Sequence, residues 1–458
     1  MGPPNIDIDY LKVPEYVFWY QCYSRVENES SVNKDKITQA LSIMKKYGAF
    51  HPSFESLVNS TDERSRSDAI AFYNKRSTTS DFDTLLESLP TRESKAEILE
   101  GLKRLTAISI IENNYEGVSN VLNQLNLTIE FHSQPQDLEL LIENRYIEFK
   151  FYNYIVVLYL LVLFPKNNVS DSMSASIKSL NVIFNPVTSY FKKNQVLLGF
   201  DSDTEEVYYY YLMCWFHSIV TFKQADFSSF LLIFYDLLSV SKGKLRPIDI
   251  LSSEAQLRSQ ILIMLLFSTL ITKPFKELSL LNIKNHVNEV QVHLLDLFDD
   301  YASLEYLVYR VMLNLAESNY SLFKEGFDDL LLLKVQAIMG YCFPGGFDNF
   351  VRFVLHIVDL KGFIILMSVT KRIPSTVLNS ILAFPENSLD DLLLFMSALG
   401  LGEIGLGYDY GEDCFYNNNR IHDSLNDDIN ELNDILNGES VVNIVKGYLL
   451  ELALYSGS

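Results

Sequence analysis

From Lys36 onward apolar side chains return every three or four residues, and they do so for most of the chain. The period predicts helices over 35–46, 66–76, 92–113, 115–125, 136–163, 171–183, 204–223, 226–240, 254–272, 286–300, 303–317 and 321–338. Breakers separate many of them: Pro90, Pro135, Pro165, Pro186, Gly243, Pro247, Pro274 and the run Pro344-Gly345-Gly346. Residues 1–34 are mixed and polar around one aromatic cluster, Tyr16–Tyr20, and read as a partly ordered lead-in. Paired helices of about 12–20 residues with short polar turns predict a mostly α fold, a right-handed α-solenoid of helical hairpins over 35–300. No unit of about 34 residues recurs, so an irregular helical bundle is the plainer alternative.

The period changes in Lys361–Tyr416. Pro374 suits a first helical turn, where a missing N–H is harmless. Val377, Leu378, Ile381 and Leu382 follow at helical spacing, and Phe384-Pro385 ends that helix. Ser388 with Asp391 resembles a capping box, and Leu389, Leu392, Leu393, Met396 and Leu399 form one apolar face up to Gly400. Then Ile404, Leu406, Tyr408 and Tyr410 alternate with Glu403, Gly405, Gly407 and Asp409, the pattern of a strand buried on one face. Gly411-Glu412-Asp413 turns, and Cys414 and Tyr416 supply a return strand. Helix, short helix, helix, two-stranded hairpin is the order of a winged helix, placed at 361–416 within a module spanning 301–416.

Two stretches point to surfaces rather than chemistry. Tyr208–Tyr211 opens a helix begun by Thr204-Glu205-Glu206, and four successive tyrosines cannot share one face of a helix. Two buried and two on the surface is the preferred reading; an inter-repeat groove or a partner surface is the other. After the linker Asn417–Asn419, residues 417–458 form a tail. In it Leu425, Ile429, Leu432 and Leu436 make an apolar stripe backed by Asp427, Asp428, Glu431 and Asp434, with Val441, Val445, Tyr448, Leu449 and Leu452 beyond Gly438-Glu439-Ser440. A helix with so narrow a stripe does not stand alone in water. It docks on its own domain or enters a bundle with other chains.

Charge narrows the partners. The chain has 458 residues and a formal net charge of −21, which disfavours nucleic acid and anionic membranes. The second helix of the turn should show Asp390, Asp391, Leu394 and Ser397 to solvent, and it has no cation. From Gly400 to the end only Arg420 and Lys446 stand against eleven carboxylates, so a duplex would be repelled. Cys22, Cys214, Cys342 and Cys414 are far apart and read as reduced thiols of an intracellular protein. The apolar runs Phe151–Pro165 and Ile261–Ile271 fall short of the ~20 residues a membrane span needs and read as core helices.

Catalytic signatures are missing from the sequence. His51, His132, His217, His286, His293, His356 and His422 form no HExxH, and His286 and His293, seven apart, read as structural rather than as metal ligands. There is no Walker loop, GxGxxG or GxSxG, and the glycines of Gly400–Gly407 lead into a strand rather than a phosphate-cradling helix. The reading is of a protein without enzyme activity, metal or cofactor.

Solenoid, winged helix, linker and terminal helix in that order resemble the PCI family, the scaffold subunits of the proteasome lid, the COP9 signalosome and translation initiation factor 3. The likeness lies in Tyr306–Tyr416: Tyr306–Arg310, the step Asn319-Tyr320-Ser321-Leu322-Phe323, the entry Lys371–Pro374 with Leu378 and Leu382, and the wing Leu401–Tyr416. It is most similar to a diverged budding-yeast COP9 signalosome subunit. The resemblance implies a non-catalytic scaffold in cytoplasm and nucleus, whose complex removes a ubiquitin-like modifier from cullins. Its partners would be other PCI subunits and cullin-ligase components. The wing edge would be Ile404, Leu406, Tyr408, Tyr410, Cys414 and Tyr416, and the bundle would use Leu425, Ile429, Leu432, Leu436, Val445, Leu449 and Leu452. The alternative is a PCI protein of initiation factor 3 or of mRNA export or splicing, gripping RNA through Lys192, Lys193, Lys242, Lys244 and Arg246.

Overall fold

The chain turns helical earlier than its hydrophobic period predicts. The structure, a computed structural model, describes residues 6–23, 30–61, 63–76, 81–89, 94–115, 118–119, 121–122, 145–165, 170–198, 205–240, 245–273, 310–311, 313–315, 317–326, 335–382, 392–394, 396–397 and 405–418. A 3-10 turn at Asp9–Leu11 leads into α1 (Lys12–Tyr23), and Tyr10, Leu11, Val13 and Val17 are buried. The described part of the expected lead-in before α2, residues 6–23, therefore contributes to the core and is held against α2 (Ser30–Tyr47). Its short apolar pattern was hidden by the polar residues between.

The described residues are mostly helical, with one small sheet. They divide into two compact units, Met1–His217 with Lys242–Ser253, and Ser218–Ser241 with Glu254–Ser458. The first unit continues through α3 (Phe54–Asn59), α4 (Glu63–Arg76), α5 (Asp81–Ser88) and α6 (Lys95–Ile111). Next come α7 (Tyr146–Val157), prolonged by a π-helical turn at Leu158–Leu163, and α8 (Ser170–Leu198). The helix α9 (Glu205–Lys223) begins in this unit, and α11 (Pro247–Ser253) completes it. The second unit holds the end of α9, α10 (Phe227–Leu238), α12 (Ala255–Thr272), α13 (Tyr320–Glu325), α14 (Phe347–Val369) and α15 (Ser375–Leu382). Its sheet is formed by β1 (Arg372–Pro374), β2 (Leu406–Asp409) and β3 (Cys414–Asn417).

Prolines behave differently at different depths. Pro186, expected to end a helix, lies inside α8. Its ring removes the N–H that would bond to the carbonyl of Val182, but both residues are exposed, so water can satisfy that oxygen. Pro247 does not break a helix but opens α11, at the position where no N–H is required. Trp215 Nε1 donates to its carbonyl oxygen at 3.0 Å, tying α11 to α9. Within the predicted helix over 321–338, α13 ends at Glu325, Gly326 turns against the Val311 side chain, and residues 335–338 are helical.

All four tyrosines of Tyr208–Tyr211 are buried, at 2, 2, 7 and 5% exposure, which overturns the reading with two on the surface and that of a partner surface. Every residue from Glu206 to Phe216 is buried, so α9 has no solvent face there. The rings divide among different neighbours: Tyr210 stacks on Phe191 of α8 at 3.7 Å, while the Tyr209 hydroxyl meets that of Tyr152 on α7 at 3.0 Å. Tyr146–Leu163 and Ala255–Thr272 are each long and apolar enough to cross a membrane by length and composition. In the structure 78% and 72% of their residues are buried.

Candidate interaction surface on the three-stranded sheet

The sheet is assembled from residues far apart in sequence, and its order is β1-β3-β2. β1 pairs antiparallel with β3 through Arg372↔Tyr416, Ile373↔Phe415 and Pro374↔Cys414. β2 pairs antiparallel with β3 from Leu406↔Asn417 to Asp409↔Cys414. The predicted two-stranded hairpin thus carries a third strand. Pro374 ends that strand instead of opening the helix, which starts at Ser375. The clue was the triplet Arg372-Ile373-Pro374, exposed, buried, exposed, too short for a periodicity argument.

This order decides what each predicted edge residue can offer. Cys414 and Tyr416 sit on β3, the central strand, with partners on both sides, so the assignment of these two residues to an edge is wrong. Alternation shows which face is buried but not which strand is central. Leu406 and Tyr408 belong to β2, which among the described residues pairs on one side only. Leu406 is 4% exposed, and Tyr410 lies beyond the strand in the turn at 82% exposure. Ile404 lies outside the described residues, as do Leu425, Ile429, Leu432, Leu436, Val445, Leu449 and Leu452 of the tail.

The sheet is anchored on its inner face and at its turn. Phe415, fully buried, meets Phe363 of α14 edge-on at 5.0 Å. Asn417 Nδ2 donates to the Met367 carbonyl at 3.0 Å, and its N–H to the Lys371 carbonyl at 2.9 Å. In the turn Asp413 takes a left-handed backbone, φ 50°. Its carboxylate accepts the Ser375 hydroxyl at 2.5 Å and the Tyr408 hydroxyl, while its carbonyl accepts the Ser375 N–H at 3.0 Å. The Ser375 bond, then the Tyr408 bond, hold the Asp413 carboxyl below the usual range. The bond to Asp413 in turn pushes Tyr408 up to about 12. Tyr410 packs edge-on against Tyr408 at 4.8 Å.

Gly407 is required where it stands. A Cβ there would enter the ring of Tyr416, its cross-strand partner. Gly407→Ala should displace that ring and cost about 1 kcal/mol, read as a small drop in melting temperature with unchanged helicity.

The surface is acidic. Asp409, Glu412 and Asp413 crowd the turn, and Arg372 is the cation facing them, 3.3 Å from Asp409 and in contact with Glu412. Residues 392–394 and 396–397 are helical, with Leu392 and Met396 buried and Leu394 and Ser397 exposed, as the pattern predicts. Asp390 and Asp391 lie outside the described residues. Of the basic side chains suggested for RNA, Arg246 is paired with Asp249 at 2.6 Å. Among the described residues no group of three His, Cys, Asp or Glu side chains could hold a metal ion. No protein-family model and no curated protein matches the chain.

Proposed function

We propose that this chain is a non-catalytic scaffold subunit of a PCI-type complex, most similar to a subunit of the COP9 signalosome acting on cullins in cytoplasm and nucleus. The observation that carries the reading is the order of elements after Phe347: helix, strand, helix, helical residues 392–394 and 396–397, and a hairpin whose second strand is central. In this reading those elements are a winged helix, and the helices before it a right-handed solenoid. β2 is left with one open side, whose backbone groups suit strand addition by a sibling subunit. The acidic turn and the cation-free helix favour a protein partner over a polyanion. The tail would join a helical bundle through Leu425, Ile429, Leu432 and Leu436.

The test is affinity purification of the full chain from native extract, with mass spectrometry of what accompanies it. Wild type should bring other PCI subunits, and Ile429→Asp with Leu432→Asp should lose them while circular dichroism stays unchanged. A wild-type preparation without any PCI protein would remove the reading.

A further inference from the structure

A buried cluster of charged and phenolic groups joins α7 to α9 and serves no part of the interaction surface. The Glu206 carboxyl, 5% exposed, reaches from α9 to the amino end of α7. It accepts the Ile147 N–H at 2.9 Å and the Glu148 N–H at 3.4 Å. Glu206 was expected to help start its own helix; it caps a neighbour instead, across fifty-nine positions. Arg145, left-handed at φ 45°, precedes α7 and pairs with Glu148 at 2.5 Å and with the exposed Glu205 at 3.4 Å. Glu148, 4% exposed, also accepts from the hydroxyls of Tyr152 at 3.3 Å and Tyr209 at 3.4 Å.

Three carboxyls therefore surround one guanidinium. Arg145 is taken by Glu148 and Glu205, and among the described residues no cation pairs with Glu206. Two buried anions against one cation would leave a net charge in a medium that cannot screen it. A neutral Glu206 removes that charge, and its carbonyl oxygen still accepts the Ile147 N–H, the shorter of the two bonds. We propose that this junction is a proton-controlled latch: protonated Glu206 holds the amino end of α7 against α9, and losing the proton loosens it.

Burial, opposed by the Ile147 N–H bond and aided by the neighbouring Glu148 anion, pushes the Glu206 carboxyl from 4.5 up to about 8 in the closed junction. Opened to water, it returns to its ordinary value. Between those values the closed form binds a proton that the open form does not, so opening becomes easier as pH rises. The expected slope is about tenfold per pH unit from pH 5 to near 8, flat above. Glu148 is also raised by burial, but Arg145 opposes the rise, so its share is smaller.

Hydrogen–deuterium exchange of the full chain tests this, following peptides over Tyr146–Val157 and correcting for intrinsic exchange chemistry. Opening in wild type should rise about a hundredfold between pH 5.5 and 7.5. In Glu206→Gln most of that rise should disappear. Glu148→Gln, which removes the neighbouring anion and frees Arg145 for Glu206, should end the rise at a lower pH. This second variant decides the matter if Glu206→Gln does not fold. A flat wild-type profile would overturn the proposal. So would a full slope in Glu206→Gln, or a wild-type upper limit in Glu148→Gln.

Discussion

Lys361→Met should destabilise the second unit by about 3 kcal/mol, a drop of roughly 6–12 °C in its melting temperature. Lys361 is 3% exposed on α14, and its ammonium donates three hydrogen bonds. They reach the carbonyls of Leu270 at 2.7 Å, Ile271 at 2.9 Å and Lys273 at 2.8 Å. These belong to the last turn of α12, where carbonyls have no partner within the helix and the helix dipole favours a cation. An ammonium has three N–H donors and meets three acceptors. Methionine keeps the stem and its packing but leaves those oxygens facing a thioether, at about 1 kcal/mol for each buried acceptor.

The same lysine has a pH signature that separates it from an ordinary packing change. Burial pulls Lys361 from 10.5 down to about 7, and Lys223, which donates to the Tyr341 carbonyl at 2.7 Å, down to about 8. Above about pH 7 the unfolded chain holds a proton that the folded unit releases at Lys361. The second unit should therefore gain stability between about pH 7 and 10.5. Lys361→Met should flatten that gain, leaving the part due to Lys223. The junction at Glu206 loses stability with pH over a lower window. Melting curves of the second unit at pH 7.5 and 9, with and without Lys361→Met, would read that gain.

Much of the helical content was legible because α10 and α12 announce themselves by period and by a breaker or cap at their ends. Asp226, which accepts the Ser229 N–H at 3.2 Å, and Pro274, just past α12, are such marks. What failed were judgements about surroundings. Tyr208–Tyr211 has the composition of a surface, yet four neighbouring directions around α9 are all occupied by protein. Burial of a whole helix circumference depends on how many elements pack on it, which no local window records. The sheet failed the same way: alternation located β2 and β3, but β1 pairs with residues some forty positions later, and only that pairing makes β3 central. Glu206 could be recognised as a capping residue, but not as the cap of α7.

Phe350→Ala should cost the second unit about 4 kcal/mol, more than Lys361→Met. Phe350 is fully buried on α14 and meets Phe343 at 4.4 Å, Phe267 at 5.2 Å, Phe227 at 6.1 Å and Phe222 at 6.2 Å. Those rings come from the end of α9, from α10, from α12 and from the turn before α14, so the truncation removes a contact from each at once. Flanking aromatic rings cannot close the cavity without leaving their own contacts, which places the loss toward the upper end for such changes. Phe350 and Lys361 are eleven residues apart on one helix, about 16 Å along its axis. They touch different partners on α12, a ring at Phe267 and the carbonyls at its end. The double variant should therefore show the sum of the two losses to within about 0.5 kcal/mol in urea unfolding. A markedly smaller sum would mean that α12 and α14 separate as a pair once either contact is gone, with the ammonium and the aromatic cluster acting as one fastening.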